Sequence, residues 1–283
     1  MSDRDYLRAD WQGGPRWGGF WATIPATKAI LVGLVAIHLL MQVVRALSVR
    51  TWVWLWDALS LAPELVLQKF FVWQLVTAAL LHDPSGLMHI LFNGLTIYFF
   101  GRMVEARIGA RRYLLFCLGA AVSASVGYLL FAVLGSNVAP MVGASGAAMG
   151  LLAVGALWYP QTIVLVFFVI PAPLWVVALL LVAVDLMGIL SVDSNIAHAA
   201  HLGGALYGLL YHRYGHRVRG LFDAVDRIAD ERKLQAARRR AAEDAELRLE
   251  LDRILDKVGR EGMPSLTEAE RRFLKEASER LRP

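Results

Sequence analysis

The sequence predicts an all-α, polytopic membrane protein: six transmembrane helices followed by a soluble, charged helical tail. Three observations lead there. Of the 283 residues, 57% are hydrophobic, above the roughly 45–50% typical of soluble domains. Charge is segregated, with 15 of 24 acidic and 18 of 29 basic residues lying after position 212. Apolar runs also recur at close to the roughly 20 residues a helix needs to cross a bilayer. The net charge of +5 is not a nucleic-acid signature, because Arg238, Arg239 and Arg240 stand among carboxylates, where anionic lipid or solvent accounts for them. A single cysteine, Cys117, excludes an intrachain disulfide.

Residues 1–26 read as a cytoplasmic or interfacial N-terminal segment. Trp11, Trp17, Phe20 and Trp21 suit the headgroup level, and the basic-then-apolar layout of a cleaved signal is missing. The membrane domain is expected over 27–213, with spans at about 27–46, 86–104, 111–134, 143–158, 172–190 and 196–212. The connection between the first two spans is too long for a structureless loop. It carries Trp52, Trp54, Trp56 and Trp73, so it is expected half-sunk in one leaflet. Ile163 to Ile170 is too short to span and ends at Pro171-Ala172-Pro173, which reads as an interfacial lead-in to the fifth helix. Arg4, Arg8, Arg16 and Lys28 before the first span, with Arg102, Arg107, Arg111 and Arg112 around the second-to-third connection, outweigh Arg45, Arg50 and Lys69 opposite. Both termini are therefore expected to be cytoplasmic.

Residues 214–283 form the tail. Its long helix, about 217 to 259, carries Leu247, Leu251, Ile254, Leu255 and Val258 at helical spacing. Gly262 and Pro264 break it. Thr267 and Glu270 form a capping box that opens a short helix with Phe273, Leu274, Ala277 and Leu281 on its apolar face. What the tail contacts is not encoded in any motif.

Polar side chains inside hydrocarbon are costly and so point to function. His89 and Asn93 share one face of the second span. The fourth span, from Gly143, covers only about 24 Å of a core about 30 Å thick. Val138 to Val142 can dip inward and start that helix below the surface, with Ser145 in its first turn. His201 enters the sixth span from the same side. Four polar groups on three helices thus converge at one depth. Gly146 and Gly150, like Gly204 and Gly208, are four apart and let backbones approach closely. A serine hydroxyl needs a base to become a nucleophile. His201 can take that proton and return it to a leaving amine. Asn93, the His89 ring and the backbone N–H of Ser145 are available to an oxyanion, and the helix N-terminus helps. Gly143, Ala144 and Gly146 frame the room for the side chain before the cut, which favours a small one such as alanine. An intact substrate helix hides its carbonyls, so helix-weakening residues are expected just past the cut.

At His89-Ile-Leu-Phe-Asn93, Gly143-Ala-Ser145-Gly146 and Ala200-His201-Leu-Gly-Gly204 followed by Gly208, the chain resembles the rhomboid family of intramembrane serine proteases. Gly101 to Gly109, with Glu105 and Arg107, is similar to the family's second-helix exit, where those charges brace structure. The resemblance, to bacterial-type members with a C-terminal extension, implies a six-helix bundle in a bacterial inner membrane. It implies Ser145 as nucleophile, His201 as base, His89 and Asn93 around the oxyanion, single-span membrane proteins as substrates, and neither metal nor cofactor. Met149 stands where many relatives have an aromatic residue.

Blander readings compete. Ser145 in a Gly/Ala-rich helix could be a packing residue, and Asn93 interhelical glue. His198 reads as structural, and without an HExxH glutamate a zinc protease is disfavoured. Asp185 is read as a hydrogen-bond partner of neighbouring helices rather than a third catalytic member. His38, His82, His212 and His216 are assigned to solvated or packed sites. Two other functions remain open: a catalytically silent relative that binds membrane clients, and a small transporter, which would spread its polar residues through the membrane depth.

Overall fold

A computed structural model describes residues 24–135, 139–166, 169–190 and 197–280. The expected interfacial segment before residue 24, Val138 and Leu281 lie outside them. The described chain is mostly helical and falls into two compact units, Met1–Gly215 and His216–Pro283. Among the described residues, three helices are long and apolar enough to cross a membrane, and two more are apolar but shorter.

Helix α1, Pro25–Leu47, opens on proline, whose missing N–H costs nothing in a first turn. Its next two N–H groups donate to one carboxylate: Ala26 N to Glu105 Oε1 at 2.9 Å and Thr27 N to Glu105 Oε2 at 2.7 Å. Glu105 is buried, so an anion from another helix satisfies these orphan donors and faces the positive helix end. Glu105→Gln puts an amide donor against one of the two N–H groups. The expected cost is about 1–3 kcal/mol, read as a lower melting temperature in detergent; an unchanged melt would show that the cap is dispensable. Arg107, two residues on, lies over the Trp158 ring at 4.7 Å. Along α1, Leu34, His38 and Met41 make a buried stripe, whereas Val32, Val35, Leu39, Leu40 and Val43 are exposed. Such an apolar outer face suits lipid, not water.

The long connection folds into α2 (Val49–Leu59), α3 (Pro63–Lys69) and α4 (Gln74–Thr77), which runs into a 3₁₀ turn, Ala78–Leu80. Fully buried Gln74 pins it, accepting from Ala62 N at 3.0 Å and donating to the Asp57 carbonyl at 2.8 Å. Trp54, Phe70 and Trp73 are exposed.

Helix α5, Leu87–Ile108, passes through a π-helical turn at Ile97–Gly101. Gly109, at φ +82°, reverses the chain in one residue into α6, Ala110–Leu134. Helix α7, Ser145–Trp158, has only 14 residues, ten of them buried. Small residues dominate it, so its neighbours pack against backbone.

The stretch expected as a lead-in is instead an antiparallel hairpin, β1 (Ile163–Val166) paired with β2 (Ile170–Pro173). The all-α class is corrected to that extent. β-branched Ile163, Val164 and Val166 favour extended backbone, and Pro171 and Pro173, which lack an N–H, are tolerated in a two-stranded ladder where every strand is an edge. Helix α8, Leu174–Leu190, follows. Helix α9 is Ala197–Glu261, 65 residues.

In the tail, α10 (Glu268–Arg280) opens with the capping box: Thr267 N donates to Glu270 Oε2 at 2.8 Å and Glu270 N to Thr267 Oγ1 at 3.2 Å. Lys257 Nζ reaches the same carboxylate at 3.0 Å. Ile254, Leu266 and Ala277 are buried, but Leu255, expected on the same face, is exposed. The Thr267 N–H, then Lys257, hold the Glu270 carboxyl at about 2, below its ordinary 4.5. A group depressed on folding stabilises fully above its unfolded value and loses that contribution as pH falls toward the folded one. Hydrogen-exchange protection of 268–280, corrected for intrinsic rates, should drop as pH falls from about 4.5 to about 2. Glu270→Gln should lack this step; the same acid step in both proteins would exclude the capping carboxylate as its source.

Candidate active site

Ser145 is the first residue of α7, held from outside that helix. Leu61 and Met141 exchange backbone hydrogen bonds at 2.9 and 3.0 Å, and Gly143 N donates to the Ala78 carbonyl at 2.9 Å. The extended segment before α7 is thus strapped to the α2–α4 connection. Gly143 has φ +124°, where a side chain is strained. A Cβ there would also lie 2.7 Å from His89 Nε2 and 3.7 Å from Asn93 Nδ2. Only glycine lets the chain pass this close to the two α5 side chains.

Asn93 is buried, and its Nδ2 has no hydrogen-bond partner among the described residues. A buried unpaired donor costs about 1–3 kcal/mol, so this amide awaits an acceptor. His89 is half-buried, and its ring meets that of His82 edge-on at 5.1 Å. His82 was assigned to a solvated or packed site, and the structure buries it. Burial first, then His89 and His38, push its imidazole down to about 4. Its position beside Asp83-Pro84 reads as a loop, and nothing local signals the burial.

Helix α9 meets α7 through glycine. A Cβ on Gly204 would collide with the carbonyl oxygen of Gly146, and one on Gly208 would sit 2.5 Å from the carbonyl oxygen of Gly150. A Cβ on Gly146 would lie 3.4 Å from the Ala200 carbonyl oxygen. The immediate chain neighbours of Ser145 and His201 therefore touch, although the Ser145 hydroxyl makes no hydrogen bond among the described residues. Such bonds often tighten only with substrate bound.

Buried Asp185, on α8, accepts from two imidazoles through one oxygen. His198 Nδ1 is 2.7 Å and His201 Nδ1 3.0 Å from Asp185 Oδ1. A carboxylate accepts, so in these bonds each Nδ1 is the donor, and a neutral His201 ring then has its lone pair on Nε2. Asp185 is the hydrogen-bond partner the sequence suggested, and its partner is the candidate base itself. The residues 198 and 201 lie one turn apart, a spacing that could have signalled a shared acceptor.

A small cleft is lined by Ser145, Gly143, Gly146, Met141 and Ser125 among others. Ala144 is buried behind it, in the core with Ala147 and Ala148. Met149 packs with Leu152, Ala156 and Leu174.

Residues 69–218 match the Rhomboid domain. The chain belongs to the rhomboid family. It is 30% identical over 145 residues to RHOMBOID-like protein 12, mitochondrial, of Arabidopsis thaliana, covering 46% of this chain and 43% of that protein. It is 29% identical over 193 residues to Rhomboid protein 1, mitochondrial, of Saccharomyces cerevisiae, covering 67% and 52%. Against Rhomboid protease GlpG of Yersinia pestis it is 29% identical over 186 residues, covering 66% and 61%. The chain thus spans about half of the length of these curated rhomboids. Residues 240–280 match DUF6576, a family of unknown function. Membership of a membrane-embedded family, with the apolar outer faces of the helices, makes this an integral membrane protein.

Proposed function

We propose that this rhomboid is an intramembrane serine endopeptidase of six spans that cleaves single-span membrane proteins. Its orientation has both termini on the cytoplasmic side of a bacterial inner membrane. The observation that carries the reading is the buried, unpartnered Asn93 amide beside Gly143 at the start of the Ser145 helix. A site that only holds clients has no use for such a donor.

Ser145 Oγ attacks the scissile carbonyl carbon while His201 Nε2 takes its proton. The oxyanion is met by Asn93 Nδ2–H and the N–H of Ser145, with the α7 N-terminus and His89 at its side. His201 returns the proton to the leaving amine, and the acyl-enzyme is released by water that His201 deprotonates in turn. The cleft lined by Gly143 and Gly146 admits a small side chain. The membrane unit over 27–213 carries this chemistry, and the tail over 214–283 is outside it.

The test is purified wild type and Ser145→Ala, each incubated in detergent with a single-span substrate and, separately, with a serine-directed covalent probe. Wild type cuts near the outer membrane boundary and is labelled, and Ser145→Ala does neither. Substrate binding without cleavage or labelling by wild type would instead identify a silent, client-binding relative.

A further inference from the structure

His198 has no part in the chemistry above, yet its Nδ1 points at the same carboxylate oxygen as that of His201. It is placed there by α8: a Cβ on Gly188, one turn beyond Asp185, would collide with the His198 ring. Two imidazoles one turn apart on α9 and a carboxylate on α8 thus bring three donor atoms within 4.8 Å of one another. We propose that Asp185 Oδ1, His198 Nδ1 and His201 Nδ1 form an inhibitory binding site for a borderline-soft divalent cation, with Zn²⁺ as the fitting ion.

The dimensions suit it. Tetrahedral zinc with bonds of about 2.0–2.1 Å spaces its ligands about 3.3 Å apart. The two carboxylate–imidazole distances, 2.7 and 3.0 Å, open by a few tenths of an ångström, and the two nitrogens settle to the same spacing. Two imidazoles and one carboxylate select zinc or copper over magnesium or calcium, which prefer oxygen. Each imidazole keeps 24% of its side-chain surface exposed, leaving a route in and a fourth position for water.

Inhibition follows from the ring's tautomer. With Asp185 accepting from Nδ1–H, Nε2 of His201 has a free lone pair. With the cation on the Nδ1 lone pair, the one proton of the neutral ring moves to Nε2, which then cannot accept the proton of Ser145. The ring stays neutral: its Nδ1–H bond, with the hydrogen bond to Asp185, is replaced by coordination of the cation through the Nδ1 lone pair, and the released proton forms the N–H bond at Nε2.

The inhibitory consequence rests on the proposed protease reading, whereas the binding does not. The experiment titrates Zn²⁺ into the full-length protein in detergent, measuring binding by competition with a chromogenic chelator and cleavage in parallel. Wild type and Ser145→Ala are expected to bind one Zn²⁺ tightly, and wild-type cleavage to be lost over the same range and restored by chelation. Even an outer-sphere partner of a metal is worth roughly 10–100-fold in affinity. His198→Gln and Asp185→Asn should therefore each weaken binding at least about 100-fold. Each variant's inhibition is normalised to its own metal-free rate. Equal Zn²⁺ affinity in wild type and both variants overturns the site. Inhibition that persists unshifted in His198→Gln overturns its role. Tight binding by wild type and Ser145→Ala without cleavage by wild type leaves the site standing and removes the protease reading instead.

Discussion

Cleavage by the His201→Ala protein should fall by about 10⁴–10⁶-fold, the scale on which removing the base of a serine hydrolase acts. The variant lacks the Nε2 proposed to accept the Ser145 proton; His198 shares the Asp185 oxygen but stands one turn away on α9. His198→Ala should keep a measurable share of activity, because Asp185 still holds His201 at 3.0 Å. Asn93→Ala should sit between, with a loss of about 10²–10³ in rate. Single-turnover cleavage in chelated buffer ranks the three. If His198→Ala is the dead variant and His201→Ala the active one, the base lies on the other turn of α9.

Gly204→Val should prevent the protein from accumulating in the membrane. The added Cβ meets backbone, the carbonyl of Gly146 with its carbon 2.6 Å away, and no side chain is there to swing aside. Ordinary overpacking costs about 1–3 kcal/mol; here α9 must lift off α7 along the row that includes Gly208 against Gly150. Gly33, inside α1, has open space around it. Gly33→Ala should therefore hold or raise stability, by about 0.5–1 kcal/mol, through helix propensity. Yield in membranes and melting in detergent compare the two. Wild-type behaviour of Gly204→Val would mean that the helices do not pack as described.

This contrast shows what the sequence reveals. Glycines four apart announce a close approach because closeness is a matter of what is missing, and Gly146, Gly150, Gly204 and Gly208 were legible for that reason. The capping box of Thr267 and Glu270 was legible because it is local. Ser145, His201, His89 and Asn93 stood out as polar groups in apolar runs. Gln74 did not, although it pins the first connection, because its partners are backbone groups of Asp57 and Ala62, which carry no side-chain signature in the sequence. Asp185 could be found but not assigned, since its acceptor role depends on how α8 meets α9. The hairpin at Ile163–Val166 was missed because two prolines beside a helix read as its start, and only pairing across the turn reveals strands. His82, read as solvated or packed, is packed: the fold buries it although Asp83-Pro84 lie beside it.

The strap between Leu61 and Met141, with Gly143 tied to Ala78, fixes where α7 begins independently of anything inside α7. That makes the segment from Met141 to Ser145 an indexed spacer. Each residue of an α-helix turns the chain by about 100°. One residue added or removed between the strap and the helix would thus swing the serine side chain by about that angle from its present direction. The intrinsic apolarity of α7 would be unaffected, so the helix would still insert. Spacer length, rather than composition, sets the direction in which the hydroxyl points, and a member of this family with an altered spacer would keep its fold while losing its aim.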